Sequence, residues 1–222
     1  MKERMKVFGT DYDGTIINIE PQKAAAFGDL LNKHWEIDAN EAANFWLKTG
    51  GLPRRFKFDY FYKNQFGKNL SAAEYKTIEA QYSHILKIEF YPKTKVLPGA
   101  IELLEFVHDH FNYCFVSSGV PMEEINYLVA LNGLSDYFNL VLGTDNLYKS
   151  KRDHFKKILS EENPGLFIFI ADGIEDMKIA KKFDITSIGV STNHSQEELN
   201  KVGAIKTCAD LYDALPIIRL FI

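Results

Sequence analysis

Two acidic residues follow the first apolar run of the chain. Residues 6 to 10 (KVFGT) have the pattern of a short strand, and Asp11 and Asp13 come directly after it. Two unit negative charges about 4 Å apart repel by roughly 4 kcal/mol at an effective dielectric constant of 20. Acids gathered at one place therefore favour a bound cation, and oxygen ligands with excess negative charge suit Mg²⁺, which commonly shares a substrate phosphate.

Other polar side chains stand at comparable positions later in the chain. The apolar runs YCFV and LFIFIA end at a hydroxyl group and at a carboxylate, respectively, and a second carboxylate follows one helical turn later. Carboxyl ends of parallel strands meet at one edge of a sheet, where ligands bind. We therefore expect one cluster of four carboxylates, a hydroxyl and an ammonium. Its further members are Ser117, Asp172, Asp176 and a lysine, Lys149 or Lys151, and a second serine, Ser118, follows Ser117.

At these residues the chain resembles the haloacid dehalogenase superfamily of aspartate-nucleophile phosphotransferases, and the resemblance covers nearly its whole length. The first motif, DxDGT, is Asp11 to Thr15. Its four fixed residues occur by chance about once in 10⁵ start points at average residue usage. Three further motifs follow in the family's order. They are an apolar strand ending in Ser117, a lysine at a helix start, and DGxxD at Asp172 to Asp176.

The resemblance implies roles for these residues. Asp11 would attack phosphorus and form an aspartyl-phosphate, and Asp13 would act as general acid and then as general base. Mg²⁺ would be held by the Asp11 side chain, the Asp13 carbonyl and Asp172, with Asp176 as a direct or water-mediated partner. Ser117 and the lysine would bind phosphoryl oxygens. Ser118 and Gly119, which come next, are candidate substrate-binding residues.

Two lysines compete for the third motif. Lys149 has the spacing of the KPxPD form of the motif, but this chain lacks both of its prolines. Ser150, with Asp153 three residues on, has the pattern of a helix N-cap, which would place Lys151 in the first turn. We favour Lys151, and the other lysine would then be a solvated surface residue.

An aspartate at position 13 favours a phosphatase or a phosphomutase, since dehalogenases of the superfamily lack an acid there. We predict a Mg²⁺-dependent phosphatase for a small phosphorylated metabolite. A phosphomutase of the β-phosphoglucomutase type is the alternative, and a non-enzymatic module that binds a phosphorylated ligand is a third possibility. A nucleotide-binding domain is disfavoured because the chain has no GxGxxG and no P-loop lysine.

The chain from residue 98 onward alternates between helical and strand patterns. Because strands separated by helices are parallel, and YCFVS and LFIFIA are almost wholly apolar, we predict an α/β fold with a doubly wound parallel sheet. Strand 6–10 joins this sheet. Predicted helices are 98–109, 121–132, 151–160 and 175–183, and predicted strands are 112–117, 139–142, 166–171 and 185–190.

From about residue 20 to 90 the sequence has helical periodicity, and an irregular segment, residues 90–95, follows. We therefore predict an all-helical domain, residues 18–95, inserted into a core of residues 1–17 and 96–222. Its place between the first two motifs is that of the family's helical cap. Capping patterns begin helices at Asp38 and Ser71. Arg54 and Arg55, beside a Gly-Gly loop, are candidate clamps for an anionic substrate group, although exposed helix-start arginines are the commoner case.

Composition excludes several classes of protein. With 26 Lys and Arg against 30 Asp and Glu, the net charge of −4 argues against a general nucleic-acid or anionic-membrane binder. No apolar stretch approaches the roughly 18 residues of a membrane span. The basic start, Lys2 to Lys6, precedes too short an apolar run for a signal peptide.

Cys114 and Cys208 have no zinc or disulfide spacing, so we expect buried free thiols and a cytoplasmic protein. A monomer is compatible with the sequence, and the oligomeric state stays open.

Overall fold

The computed structural model describes residues 5–50 and 52–222, in which six parallel strands form one sheet. The strand order is β3-β2-β1-β4-β5-β6, and helices flank the sheet. The predicted α/β class with a doubly wound parallel sheet is therefore confirmed. The strands are β1 (Lys6–Thr10), β2 (Tyr113–Pro121), β3 (Leu140–Thr144), β4 (Leu166–Ala171), β5 (Thr186–Val190) and β6 (Lys206–Cys208).

Strand β1 lies at the centre of the sheet, between β2 and β4. Its last residue, Thr10, is in register with Val116 of β2 and with Ile170 of β4. The chain order β1, β2, β3 runs to one side and β4, β5, β6 to the other, so the direction of the winding reverses at β1. Since all strands are parallel, the residues after β1, after the paired part of β2 and after β4 come to the same edge, at the position where open α/β sheets bind ligands.

Large apolar side chains cover this sheet. Phe155 packs edge-on against Phe169 with ring centroids 4.7 Å apart, and both rings are fully buried. A Cβ added at Gly9 would lie 2.6 Å from the Phe115 ring and 2.8 Å from the Phe169 ring. Glycine in the middle of β1 therefore makes room for two phenylalanines, and close packing of this kind holds the end of the strand in a defined position.

The helices of this part of the chain agree with the predicted positions to within a few residues. They are α5 (Ala100–His110), α6 (Met122–Leu131), α7 (Lys151–Glu162) and α8 (Ile174–Lys182). Three elements that the sequence patterns did not predict follow, α9 (Gln196–Val202), the edge strand β6 and α10 (Leu211–Arg219). Strand β2 is longer than predicted, because it resumes pairing with β3 at Pro121 after a shift of register beyond Ser117.

The chain divides into two compact units, residues 1–18 with 95–222, and residues 19–94. In the second unit every described element is helical: α1 (Glu20–Trp35), α2 (Ala39–Lys48), α3 (Arg54–Phe66), α4 (Ala72–Ile85), a π-helical turn (Leu86–Phe90) and a 3₁₀ turn (Tyr91–Lys93). The predicted domain limits are 18 and 95. The last two turns lie partly where an irregular segment is predicted from residue 90.

An aromatic core holds the helical unit together. The Phe27 ring lies 5.0 Å from both the Trp46 ring and the Phe58 ring, centroid to centroid, and 6.1 Å from the Tyr82 ring. Such pairs each add about 0.5–1.5 kcal/mol beyond the burial of their area. The predicted capping box at Ser71 is confirmed, since Ser71 and Glu74 bond each other's backbone N–H groups.

Both cysteines are buried and free, as predicted, and burial raises the pKa of each thiol to about 12. Across residues 5–50 and 52–222, none of the helices combines the length and the apolar character that crossing a bilayer requires.

Candidate active site

Asp11 lies directly after β1 and is 6% exposed. Its N–H donates to the Ile170 carbonyl at 2.9 Å, which ties the residue to the end of β4. Its carboxylate oxygen Oδ1 accepts from the Tyr12 N–H at 2.7 Å and lies 2.9 Å from the Lys151 Nζ. Backbone contacts on one side and a buried ammonium on the other therefore hold the Asp11 side chain in one position.

Lys151 bridges two of the acids. Its Nζ lies 2.9 Å from Asp11 Oδ1 and 2.6 Å from Asp176 Oδ1, and the side chain is 3% exposed. Burial alone would lower the pKa of Lys151, but the two carboxylates outweigh burial and raise it. This lysine is therefore a permanent cation. Its place at the start of α7, after the N-cap Ser150, agrees with the predicted capping pattern.

One ammonium does not balance the acids around it. Burial raises the pKa of Asp11 well above its usual range, Lys151 opposes this effect, and Asp176, Asp172 and Asp13 add to it. Burial likewise raises the pKa of Asp176. The cluster thus carries more negative charge than the protein itself neutralises, which a further cation would relieve.

A tight turn brings Asp13 and Asp172 to the same place. Gly14, at φ 80°, is in the left-handed region, and its N–H donates to the Ile17 carbonyl at 2.6 Å. A Cβ at Gly14 would collide with the Asp172 carboxylate. Thr15 Oγ1 accepts from the Asp172 N–H at 3.1 Å. The glycine and the threonine of the first motif therefore fasten the turn after β1 onto the residue that follows β4.

Asp172 has a second partner that the sequence analysis does not identify. Asn193, which follows β5, donates its Nδ2–H to Asp172 Oδ2 at 2.6 Å. A hydrogen-bond donor such as Asn193 fixes the orientation of the carboxylate that it contacts, and donors of this kind are common around metal-binding carboxylates. No local motif marks Asn193, so only the fold brings it to the site.

Two features of the acidic cluster suit a Mg²⁺ ion. The donor set consists of carboxylate oxygens with excess negative charge, and Asp176 Oδ2 is a buried oxygen without a hydrogen-bond partner in the described part of the chain. Within residues 5–50 and 52–222, no three His, Cys, Asp or Glu side chains form a group that could hold a metal ion by themselves. Mg²⁺ commonly takes only one or two carboxylates and completes its shell with water, carbonyl or phosphate oxygens.

Ser117 is fully buried and comes directly after the part of β2 that pairs with β1. Ser118 is 1% exposed, and its Oγ accepts from the Val120 N–H at 3.3 Å. Gly119 is half-buried, and its carbonyl accepts from the Thr144 hydroxyl at 3.5 Å. Because Val116 is in register with Thr10, Ser117 and Asp11 occupy equivalent positions on adjacent strands.

His154 is a buried residue of α7 that sequence reasoning does not single out. Its Nδ1 lies 2.8 Å from Ser117 Oγ and its Nε2 lies 3.0 Å from the Gly143 carbonyl oxygen. Burial lowers the pKa of the imidazole to about 4, with Lys151 also lowering it and the Gly143 carbonyl opposing the shift. The ring is therefore neutral at physiological pH.

This depressed pKa predicts a pH-dependent contribution to stability. The unfolded chain protonates His154 near the ordinary pKa of 6.5 and the folded chain near 4, so stability falls as the pH falls between these values. We expect wild type to lose about 3 kcal/mol of unfolding free energy relative to His154→Asn from pH 7 to pH 4. Urea denaturation of both proteins at several pH values measures this difference. A difference that stays constant would contradict the prediction.

The remaining candidate residues, Lys149, Arg54 and Arg55, have other partners. Lys149 is exposed and its Nζ donates to the Asp145 carbonyl at 3.0 Å, so Lys151 alone of the two lysines reaches Asp11. Arg54 is 4% exposed and pairs with Glu79 at 2.7 Å, and Arg55 pairs with Asp59 at 2.8 Å.

Both arginines therefore have carboxylate partners within the helical unit. Arg54 also lies over the Tyr82 ring, with its guanidinium carbon 4.8 Å from the ring centroid. The prediction that either arginine clamps a substrate anion stays a prediction. Gly51, in the loop before them, lies outside the described residues.

Several known proteins are similar to this chain in sequence or in fold. Phosphoglycolate phosphatase of Haemophilus influenzae is 23% identical over 148 residues, which are 66% of this chain and 66% of that protein, just under two thirds of its length. A hydrolase from Pseudomonas syringae superposes with a TM-score of 0.80 at 20% identity, covering 98% of this chain and 99% of that one. A candidate β-phosphoglucomutase from Thermotoga maritima has a TM-score of 0.68 at 18% identity, covering 98% and 100%.

The family model of the haloacid dehalogenase-like hydrolases matches residues 10–190, which include Asp11, Ser117, Lys151 and Asp176. The matched range covers most of the chain and runs from the end of β1 to the end of β5. The chain belongs to the haloacid dehalogenase-like hydrolase family.

Proposed function

We propose that this hydrolase is a Mg²⁺-dependent phosphatase that cleaves a small phosphomonoester through an aspartyl-phosphate on Asp11. One observation carries the proposal: the Lys151 Nζ lies between Asp11 Oδ1 and Asp176 Oδ1. A buried lysine between two acids combines a nucleophile with a group that neutralises a phosphoryl oxygen, and Ser117 supplies a hydroxyl at the equivalent position of the neighbouring strand.

In the first step, an oxygen of Asp11 attacks phosphorus while the bond from phosphorus to the ester oxygen breaks. Asp13 gives its proton to that leaving oxygen. In the second step, Asp13 takes a proton from water, the water oxygen attacks phosphorus, and the bond to Asp11 breaks to release inorganic phosphate. Lys151 and Ser117 hold the phosphoryl oxygens in both steps.

Asp11, Asp172 and the Asp13 carbonyl would hold the Mg²⁺ ion, with Asp176 as a direct or water-mediated partner. When bound, the ion would neutralise charge on the phosphoryl group and on the acids. The need for it is electrostatic, since burial and the neighbouring acids raise the pKa of Asp11 and thereby oppose the ionised form that a nucleophile requires.

Selection of the substrate would fall to residues beyond the phosphoryl site. Ser118 and Gly119 are proposed to contact the substrate next to Ser117. The helical unit is proposed to act as a cap, with Arg54 or Arg55 reaching an anionic group of the substrate. Arg54 pairs with Glu79 and Arg55 with Asp59, so an arginine that clamps the substrate would contact the ligand and its carboxylate partner together.

A phosphomutase is the second candidate, favoured by the fold shared with the Thermotoga maritima protein. A mutase excludes water and returns the phosphoryl group to its substrate, whereas a phosphatase admits water to the intermediate. A module that binds a phosphorylated ligand without chemistry is the third candidate, and it would not need Asp13.

A substrate panel tests the proposal. Purified protein is incubated with p-nitrophenyl phosphate, phosphoglycolate, sugar phosphates and nucleotides, each with Mg²⁺ and with excess chelator. We expect inorganic phosphate from at least one small phosphomonoester with Mg²⁺, and its loss with chelator, because the uncompensated acids repel the phosphoryl group.

The other outcomes decide between the alternatives. Isomerisation of a sugar phosphate without free phosphate would establish the mutase. Undiminished hydrolysis in chelator would contradict the Mg²⁺ requirement. Binding of the panel compounds without any turnover would establish the non-catalytic module. The location in the cytoplasm stays a prediction from the two free thiols, and a small phosphorylated metabolite is the proposed partner.

A further inference from the structure

His154 makes two hydrogen bonds that together determine its tautomer. A carbonyl oxygen only accepts hydrogen bonds, so the contact of 3.0 Å with Gly143 places a hydrogen on Nε2. In the neutral ring, Nδ1 then has a lone pair and accepts from the Ser117 hydroxyl at 2.8 Å. The ring therefore faces Ser117 as an acceptor, and the Ser117 hydrogen is donated to it.

The surroundings keep the ring in this orientation. A Cβ at Gly143 would lie 2.7 Å from the Met122 Cα and the Val120 carbonyl oxygen, so close backbone packing holds the Gly143 carbonyl in place. The Tyr148 ring contacts the imidazole edge-on, with centroids 5.6 Å apart. The charged groups that act on the imidazole are Lys151 and Asp153 on its own helix and Asp145 after β3.

We propose that His154 is a positioning residue that acts on the reaction through Ser117. The inference rests on the proposed function, in which Ser117 binds a phosphoryl oxygen. With its Oγ bonded to Nδ1, the Ser117 side chain is held in one χ1 rotamer, whereas a serine without such a contact distributes over three staggered wells. A serine hydroxyl has one hydrogen, so a bond from Ser117 to a phosphoryl oxygen replaces the bond to Nδ1. The hydroxyl makes this exchange by turning about its Cβ–Oγ bond, and the χ1 rotamer set in the free enzyme is kept.

This role differs from a general contribution to packing. His154 is far from Ser117 along the chain, and each nitrogen serves one partner, so the two contacts can be removed separately. An asparagine side chain places its terminal group near the position of Nδ1, and a glutamine side chain reaches the position of Nε2. His154→Asn can therefore keep the contact with Ser117, while His154→Gln can keep only the contact with Gly143.

A double-mutant cycle with p-nitrophenyl phosphate and Mg²⁺ tests the proposal. We expect His154→Gln to lower kcat/KM about tenfold, since small misplacements of a binding group are costly, and His154→Asn to retain most of the activity. In the Ser117→Ala background, His154→Gln should change kcat/KM by less than about twofold, because the atom through which His154 acts is gone.

Two controls accompany the cycle. Urea unfolding establishes that each variant is folded under the assay conditions. Nitrogen-15 NMR of the wild-type imidazole should report a hydrogen on Nε2, and a hydrogen on Nδ1 alone would overturn the assignment. If wild type hydrolyses p-nitrophenyl phosphate and the losses from His154→Gln and Ser117→Ala multiply, the positioning role is overturned and the proposed function stands. If wild type hydrolyses no panel compound, the proposed function itself fails.

Discussion

Replacing Asp11 by asparagine should abolish phosphatase activity, with a fall in kcat of about 10⁴-fold or more. An amide oxygen is a poor nucleophile, and the variant cannot form the aspartyl-phosphate on which both proposed steps depend. The substitution preserves the shape of the side chain. Burial and three neighbouring acids raise the pKa of Asp11, so its negative charge is costly in the folded protein. The variant lacks this charge and should therefore be no less stable than wild type.

Two measurements separate loss of the nucleophile from loss of the fold. The thermal unfolding midpoint of Asp11→Asn should equal or exceed that of wild type. Acid quenching of wild type during turnover, followed by mass spectrometry of peptides, should find a phosphoryl group on the peptide with Asp11, and none in the variant. Hydrolysis by a folded Asp11→Asn protein near the wild-type rate would contradict the proposed mechanism.

Replacing Lys151 by methionine should damage both activity and stability. Methionine keeps much of the length of the side chain but leaves Asp11 and Asp176 buried without their cation. Removal of one partner from a buried ion pair typically costs about 3–5 kcal/mol, because the remaining charges are uncompensated. Loss of a cation that stabilises the transferring phosphoryl group should lower kcat by a further 10²- to 10³-fold, as estimated from other electrostatic sites.

Lys149→Met is the matched control. This lysine is exposed and contacts a backbone carbonyl, so its replacement should change the unfolding free energy by less than about 0.5 kcal/mol and leave activity nearly unchanged. Urea denaturation and initial rates with p-nitrophenyl phosphate measure both quantities. If Lys149→Met lost the activity and Lys151→Met kept it, the assignment of the third motif would be wrong.

The choice between the two lysines marks the limit of local reasoning. Both stand within three residues of each other at a helix start, and the capping pattern of Ser150 favours Lys151 without excluding Lys149. The decisive contact joins Lys151 to Asp176, which is 25 residues away along the chain. Such a contact depends on how α7 packs against α8, which no pattern within either helix specifies.

Longer segments were predictable for a different reason. The sequence signals for these segments are local: a run of apolar residues for a strand covered on both faces, and apolar residues at helical spacing for a helix. The alternation of the two signals predicts a parallel sheet. The end of β2 was harder to predict from the sequence. Its pairing with β3 resumes at Pro121 after a shift of register, and that shift depends on both strands.

Strand ends and helix starts are local properties of the chain, so the residues alone predict the α/β sheet and the acids and hydroxyl at its edge. The tertiary structure sets the contacts between these groups, and it brought Lys151 rather than Lys149 to Asp11. It placed His154 on Ser117, 37 residues away, and Asn193 on Asp172, 21 residues away. It also paired Arg54 with Glu79. These contacts join separate elements, and their geometry follows only from the packing of the whole core.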